Sequence, residues 1–284
     1  MSPSPDFFTD RAEVAARHGA LVNPPLMQRL PAVLVVAMVL GLAVLAMTRL
    51  EFSFARLGSG LVQLGTFLTL MVPPSPGGMA ITFFKALGET VAIAVLGTTL
   101  AAVLAFPLGF LAARGVIGGA VLRFLTRRFS DSLRGVDTLI WALIWINVVG
   151  LGPFAGVLAL ITSDLGLFTK MFSEAIETAD RKPSEGVVAA GGSRVHAIRF
   201  GLIPQVLPVF ISQWLYMIES NTRSATIIGI VGAGGIGLHL AEMIRTYEWD
   251  RVAFIVLIVL ATVALIDFLS TKIRLAVIGE RAAA

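Results

Sequence analysis

A chain of 284 residues in which 56% are hydrophobic and only 14% charged is too apolar for a soluble domain, where about a quarter of residues carry charge. With no cysteine it has no disulfide framework and no cysteine-based metal site, and its three histidines, His18, His196 and His239, are scattered rather than paired. A net charge of +4 with a pI near 10.0 fits basic residues gathered in cytoplasmic loops better than it fits a nucleic-acid binder.

The apolar runs are continuous rather than alternating, which argues against a β-barrel, and several approach the ~20 residues that cross ~30 Å of hydrocarbon. The fold class expected is therefore all-α and polytopic, and no cleavable signal peptide is expected. Residues 1–29 read as a cytoplasmic lead-in. Within it, 6–20 is either a short amphipathic helix on the membrane surface or a loosely ordered tail. A first span is expected over 31–48. Residues 50–88 read as an external loop with a partial helix over 57–71, because Pro73-Pro74-Ser75-Pro76-Gly77-Gly78 breaks helices. A second span is placed at 90–113. The loop after it carries Arg114, Arg123, Arg127, Arg128 and Arg134, a basic run read as topological.

Residues 136–172 are nearly all apolar. The break Gly150-Leu151-Gly152-Pro153 divides them into helices over 136–149 and 154–176, the first too short for a full span and expected to end at a cavity. Two more spans, at 201–230 and 252–272, bring the count to six with both termini inside. The excess of arginine and lysine in the segments this topology places in the cytoplasm agrees with it.

Between the fourth and fifth spans lies a polar interruption, 183–204. Ser184 is expected to cap a first short helix, with Glu185 at its positive end. Gly191-Gly192 can end that helix, and Ser193 can cap a second, with Val195 and Ile198 on one face. Pro204 falls in the first turn of the next apolar helix, where a missing N–H costs little.

The fifth span carries Glu219, Ser220, Asn221, Thr222 and Arg223 in its middle. A charge at mid-bilayer costs roughly 2.5–3.5 kcal/mol on insertion scales. Glu219 and Arg223, four apart, can pair on one face and lower that cost. Two readings stand side by side. The pair stabilises a helix facing the bundle interior, or Arg223, Asn221 and Ser220 line a pathway suited to a passing oxyanion. Next comes Gly232-Ala233-Gly234-Gly235-Ile236-Gly237, which fits the dinucleotide fingerprint G-x-G-x-x-G. Its flanks are spans and not a βαβ unit, so it reads as tightly packed or irregular backbone near the outer face, with Gly232, Gly234, Gly235 and Gly237 as gate or packing glycines. Asp164, Glu89 and Asp267 are single acidic residues in or beside spans, read as interfacial or packing groups.

Glu185, Gly191 and Pro204 at this spacing resemble the EAA loop of bacterial ABC importer permeases, although Gly186 and Val187 stand where alanines are usual, Gly201 where an aliphatic residue is usual, and Ile203 in place of leucine. Within that family, the stretches 150–160, 203–208 and 224–237 resemble the phosphonate permease branch. The resemblance implies a type I importer permease domain over 30–284, with a coupling loop at 183–204 whose Glu185, Gly191, Gly192 and Pro204 serve coupling to ATPase subunits. It also implies a homodimer, two cytoplasmic ATP-binding subunits, an extracytoplasmic solute-binding protein and a bacterial inner-membrane location. The expected function is import of phosphonate or a related phosphorus oxyanion. Permeases for methionine, phosphate or phosphite are alternatives, and an ion-driven secondary transporter is a weaker one. No G-x-x-x-x-G-K-[ST] loop occurs, so the chain is expected to bind no nucleotide and, with no catalytic pair legible, to be no enzyme. No cofactor, metal or nucleic acid is expected.

Overall fold

The computed structural model describes residues 26–50, 52–116 and 119–278, so the lead-in at 6–20 lies outside the described residues. The chain divides into two compact units, residues 1–66 and 67–284. The first contains helix α1 (Leu26–Arg49) and the start of α2 (Phe54–Leu70). Leu34, Val39, Leu42 and Leu45 are all more than half exposed on α1, the surface of a helix made to be surrounded by lipid or partner.

The second unit holds the packed bundle. Helix α3 (Ala80–Ala112) begins ten residues before the expected 90, directly after Gly77-Gly78 and Met79. The helix-breaking signal ended there, and Lys85 and Glu89, both good helix formers, continue the helix through its first three turns. Helix α4 (Ala120–Arg134) corrects a second expectation: the basic run is a helix, not a loop. Its arginines are interleaved with Val121, Leu122, Leu125 and Phe129 at helical spacing, a pattern hidden when only the charges are counted. There follow α5 (Thr138–Val149), α6 (Pro153–Thr178) and α7 (Lys182–Ala189). A short turn at Arg194–His196 and a π-helical stretch at Ala197–Leu202 run directly into α8 (Ile203–Ile230), and α9 (Ile236–Arg245) and α10 (Trp249–Ile278) complete the unit.

Among the described residues four helices are long and apolar enough to cross a membrane: α3, α6, the continuous 37-residue Arg194–Ile230, and α10 over Trp249–Ala276. The number rises to six if each of two bent pairs, α1 with α2 and α4 with α5, is one span. The α4–α5 pair bends by 86° around Asp137, whose carboxylate caps α5 through the Leu139 N–H at 2.8 Å.

The central contact is α3 against α6. A row of small residues on α3 (Ala94, Gly97, Ala101, Ala105 and Gly109) recurs every three or four positions and lets the two backbones approach closely. A Cβ on Gly97 would lie 2.8 Å from Leu160 Cβ, and one on Gly109 would lie 2.8 Å from Phe172 Cβ. Phe168, Phe172 and Phe210 fill one end of this core, and Phe172 stacks on Phe210 with ring centroids 4.0 Å apart. Phe83, Leu87, Ile236, Val252 and Ile255 form a separate cluster where α3 meets α9 and α10.

Candidate functional site

The polar loop between α6 and α8 is built as two short helical pieces. Arg181, not Ser184, occupies the cap position of α7, because Pro183 fits the first turn and draws the helix start upstream. Ser184 instead lies inside α7, facing the re-entering chain, and its Oγ donates to the Ala197 carbonyl at 3.5 Å. This contact explains Gly201. A Cβ at Gly201 would lie 2.6 Å from Ser184 Cα, so glycine at this position lets the π-helical stretch press on α7. Ser193 is the cap expected: its Oγ accepts from the His196 N–H at 3.4 Å while His196 Nδ1 accepts from the Ser193 N–H at 3.3 Å. Gly191 stands at φ 85° in the turn between the pieces, and its N–H donates to the Val188 carbonyl at 2.9 Å.

The two ends of the loop are fastened together. Gln205 Nε2 donates to the Gly201 carbonyl at 2.6 Å and the Asp180 carbonyl at 3.1 Å, tying the start of α8 to the end of α6. Glu185, Gly191 and Pro204 remain exposed. Glu185 lies in the wall of a cavity of about 570 Å³, together with Arg114, Glu177, Asp180, Arg181 and Arg194.

In α8 the polar residues separate onto two faces. Asn221 is 4% exposed and its Nδ2 donates both to Thr98 Oγ1 on α3 at 2.7 Å and to the Asp164 carboxylate on α6. Thr98 and Asp164 are themselves buried, so three helices meet at one polar knot inside the bundle. Two residues further on, about 200° around the helix, Arg223 points away from the knot. Its side chain is 50% exposed and pairs with Glu219 at 3.1 Å. Ser220 is half-buried, its carbonyl accepting from Ser224 Oγ at 3.4 Å. Asn221 and Arg223 therefore do not form one group within this chain. Asp164, read from sequence as a lone packing acid, is the residue that anchors Asn221. No local signal pairs positions that far apart in sequence.

The glycine turn is a packed crossing. Residues 232–237 are all buried. The Gly235 N–H donates to Glu89 Oε1 at 2.9 Å and the Ile236 N–H to Thr90 Oγ1 at 2.8 Å, so α3 supplies the cap of α9 from across the bundle. The Gly152 N–H donates to the Gly232 carbonyl at 3.0 Å, joining the break before α6 to the same turn. A Cβ at Gly234 would lie 2.8 Å from Pro153 N, and one at Gly237 would run into the Thr226 carbonyl.

A family model described as binding-protein-dependent transport system inner membrane component matches residues 105–277. The chain is 38% identical to a putative phosphite transport system permease protein (HtxC) of Stutzerimonas stutzeri, over 86% of each chain. It is 35% identical to the phosphite transport system permease protein PtxC of the same organism, over 84% of this chain and 87% of that one. A putative cryptic phosphonate transport system permease protein (PhnE2) of Escherichia coli strain K12 is 43% identical over 42% of this chain and 97% of its own length. Among solved structures, a chain of the MetNI methionine ABC transporter in an inward-facing conformation superposes with a TM-score of 0.65 at 20% identity, covering 72% of this chain and 99% of that one.

Proposed function

The chain belongs to the binding-protein-dependent transport system inner membrane component family, and from that membership we propose that it is the membrane-spanning permease subunit of an ATP-driven importer of phosphonate or a related phosphorus oxyanion. The observation that carries the cargo class is the 38% identity to a phosphite permease across 86% of both chains. The likeness to a methionine transporter is at 20% identity and supports the fold alone.

On this reading the permease domain spans 30–284 in the inner membrane with both termini cytoplasmic, and two copies pair around the pathway. ATP hydrolysis belongs to partner subunits that dock on the coupling loop at 183–204, with Glu185 and Gly191 presented to them and Gly192 and Pro204 shaping the loop. A solute-binding protein delivers cargo at the opposite face, where the glycine turn lies. Arg223, exposed on α8, faces the partner copy and the pathway, while Asn221 holds that helix against Asp164. ATP closure of the partner subunits biases a two-state bundle at a distance.

The test is uptake into proteoliposomes holding the permease with its ATP-binding and solute-binding partners. ATP-dependent accumulation of phosphite, a phosphonate or phosphate is expected. Uptake of methionine but no phosphorus compound, or uptake driven by an ion gradient without ATP, sinks the reading.

A further inference from the structure

Helix α4 has no part in the sites above, yet its position is unusual for so basic a helix. Near its middle, Arg127 pairs with Glu177 close to the coupling-loop end of α6, and its Nε donates to the Ala112 carbonyl at the end of α3, 2.9 Å away. Seven residues later, the Arg134 backbone N lies 2.9 Å from where a Cβ on Gly166 would stand. Gly166 is at the centre of the 26-residue α6. From Arg127 to Arg134, then, α4 runs alongside α6 as far as its middle, and a cation carried to that level of a span is tolerated only beside protein or water.

Small hydroxyl residues line the contact. Thr126 and Ser130 on α4 and Thr169 and Ser173 on α6 are all buried. Beside them lies a cavity of about 240 Å³ whose wall includes Arg127, Arg128, Arg134 and Lys170 with Ser130. Three carboxylates stand among these cations. Asp131 is shared between Arg128 at 2.8 Å and Arg134 at 2.7 Å, Glu177 is taken by Arg127, and Glu174 lies 3.6 Å from Lys170. Four cations face three carboxylates, so the wall keeps a positive excess and guanidinium N–H groups beyond those its ion pairs use. Ser130 is 3% exposed and its Oγ has no hydrogen-bond partner among the described residues. A buried hydroxyl left unsatisfied costs about 1–3 kcal/mol, a cost that an acceptor oxygen in the adjoining cavity would relieve.

We propose that the α4–α6 cavity is a subsite for a tetrahedral phosphorus oxyanion on the coupling-loop side of the membrane. It rests on the importer reading above, and gives the arriving cargo a place to lodge before release. The anion takes N–H donors from Arg128, Arg134 and Lys170 and accepts from Ser130 Oγ. The same chemistry describes a lipid phosphate, and the experiment separates the two.

Binding of inorganic phosphate and phosphite is titrated by calorimetry on the purified permease–ATPase complex, once in a zwitterionic detergent and once in nanodiscs containing phosphatidylglycerol. Lys170→Gln removes a half-exposed cation and Ser130→Ala an unpartnered hydroxyl, so neither change should unfold the bundle. Saturable phosphate binding in both media, weakened about tenfold by Lys170→Gln (about 1.4 kcal/mol) and measurably by Ser130→Ala, is expected. Binding insensitive to both variants, no binding by the wild type, or phosphate displaced by phosphatidylglycerol overturns the proposal, the last by making a lipid headgroup the occupant. Wild-type uptake of phosphite or phosphonate, run in parallel, keeps failure of the subsite distinct from failure of the importer reading.

Discussion

Gly191 of the polar loop and Gly237 of the glycine turn both favour glycine, for opposite physical reasons. At Gly191 nothing lies within 4 Å of a Cβ, and only the backbone angle, φ 85°, favours glycine. At Gly237 the backbone angle is unremarkable and the space is missing, because a Cβ would run into the Thr226 carbonyl. The loop is shaped from within and left open outward. The turn is filled from every side by α3, α8 and the break at Gly152. A segment whose surface is kept clear is one another molecule can reach, whereas a segment packed on all sides transmits any displacement to its neighbours. On the importer reading, the loop is the docking element and the turn a joint.

Three substitutions break or sharpen that contrast. Gly237→Ala should have the largest effect, about 3 kcal/mol of lost stability through overpacking against backbone that has no side chain to move aside. Thermal unfolding of the purified protein checks it, and an unchanged midpoint would show that the turn is not packed as described. Gly191→Ala should cost about 1–2 kcal/mol, from the left-handed backbone alone. The fold should survive, while uptake falls with ATP hydrolysis retained, and assaying the two activities together tests this. Full uptake in that variant removes the loop's coupling role. Arg223→Ala is expected to alter stability least, by about 1 kcal/mol, because Arg223 itself is half exposed although Glu219, whose side chain is only 13% exposed, loses its partner. A marked loss of oxyanion uptake without destabilisation would set Arg223 on the pathway, and unchanged uptake would leave it a surface ion pair.

Much of the fold was legible from the chain. Long apolar runs separated α6, α8 and α10, and the breaks at Gly150 to Pro153 and Gly191-Gly192 fell where the helices part. The Ser193 cap was legible as well, since capping is settled within four residues. Local rules failed where two competing signals overlapped. Pro183 outbid Ser184 for the start of α7, and the arginines of α4 masked the apolar positions that make it a helix.

The sequence by itself determined that this protein is helical and built for a membrane, because hydrocarbon thickness and backbone hydrogen bonding act on each segment separately. It also set out the two glycine-bearing motifs. Only the tertiary structure decided what their neighbours do: that Glu89 and Thr90 cap α9, that Asp164 and Thr98 hold Asn221, and that Ser130 is buried beside the arginines of α4 with no partner among the described residues. Those contacts join residues far apart in the chain. Their energies depend on distance and burial, and neither exists until the helices have packed.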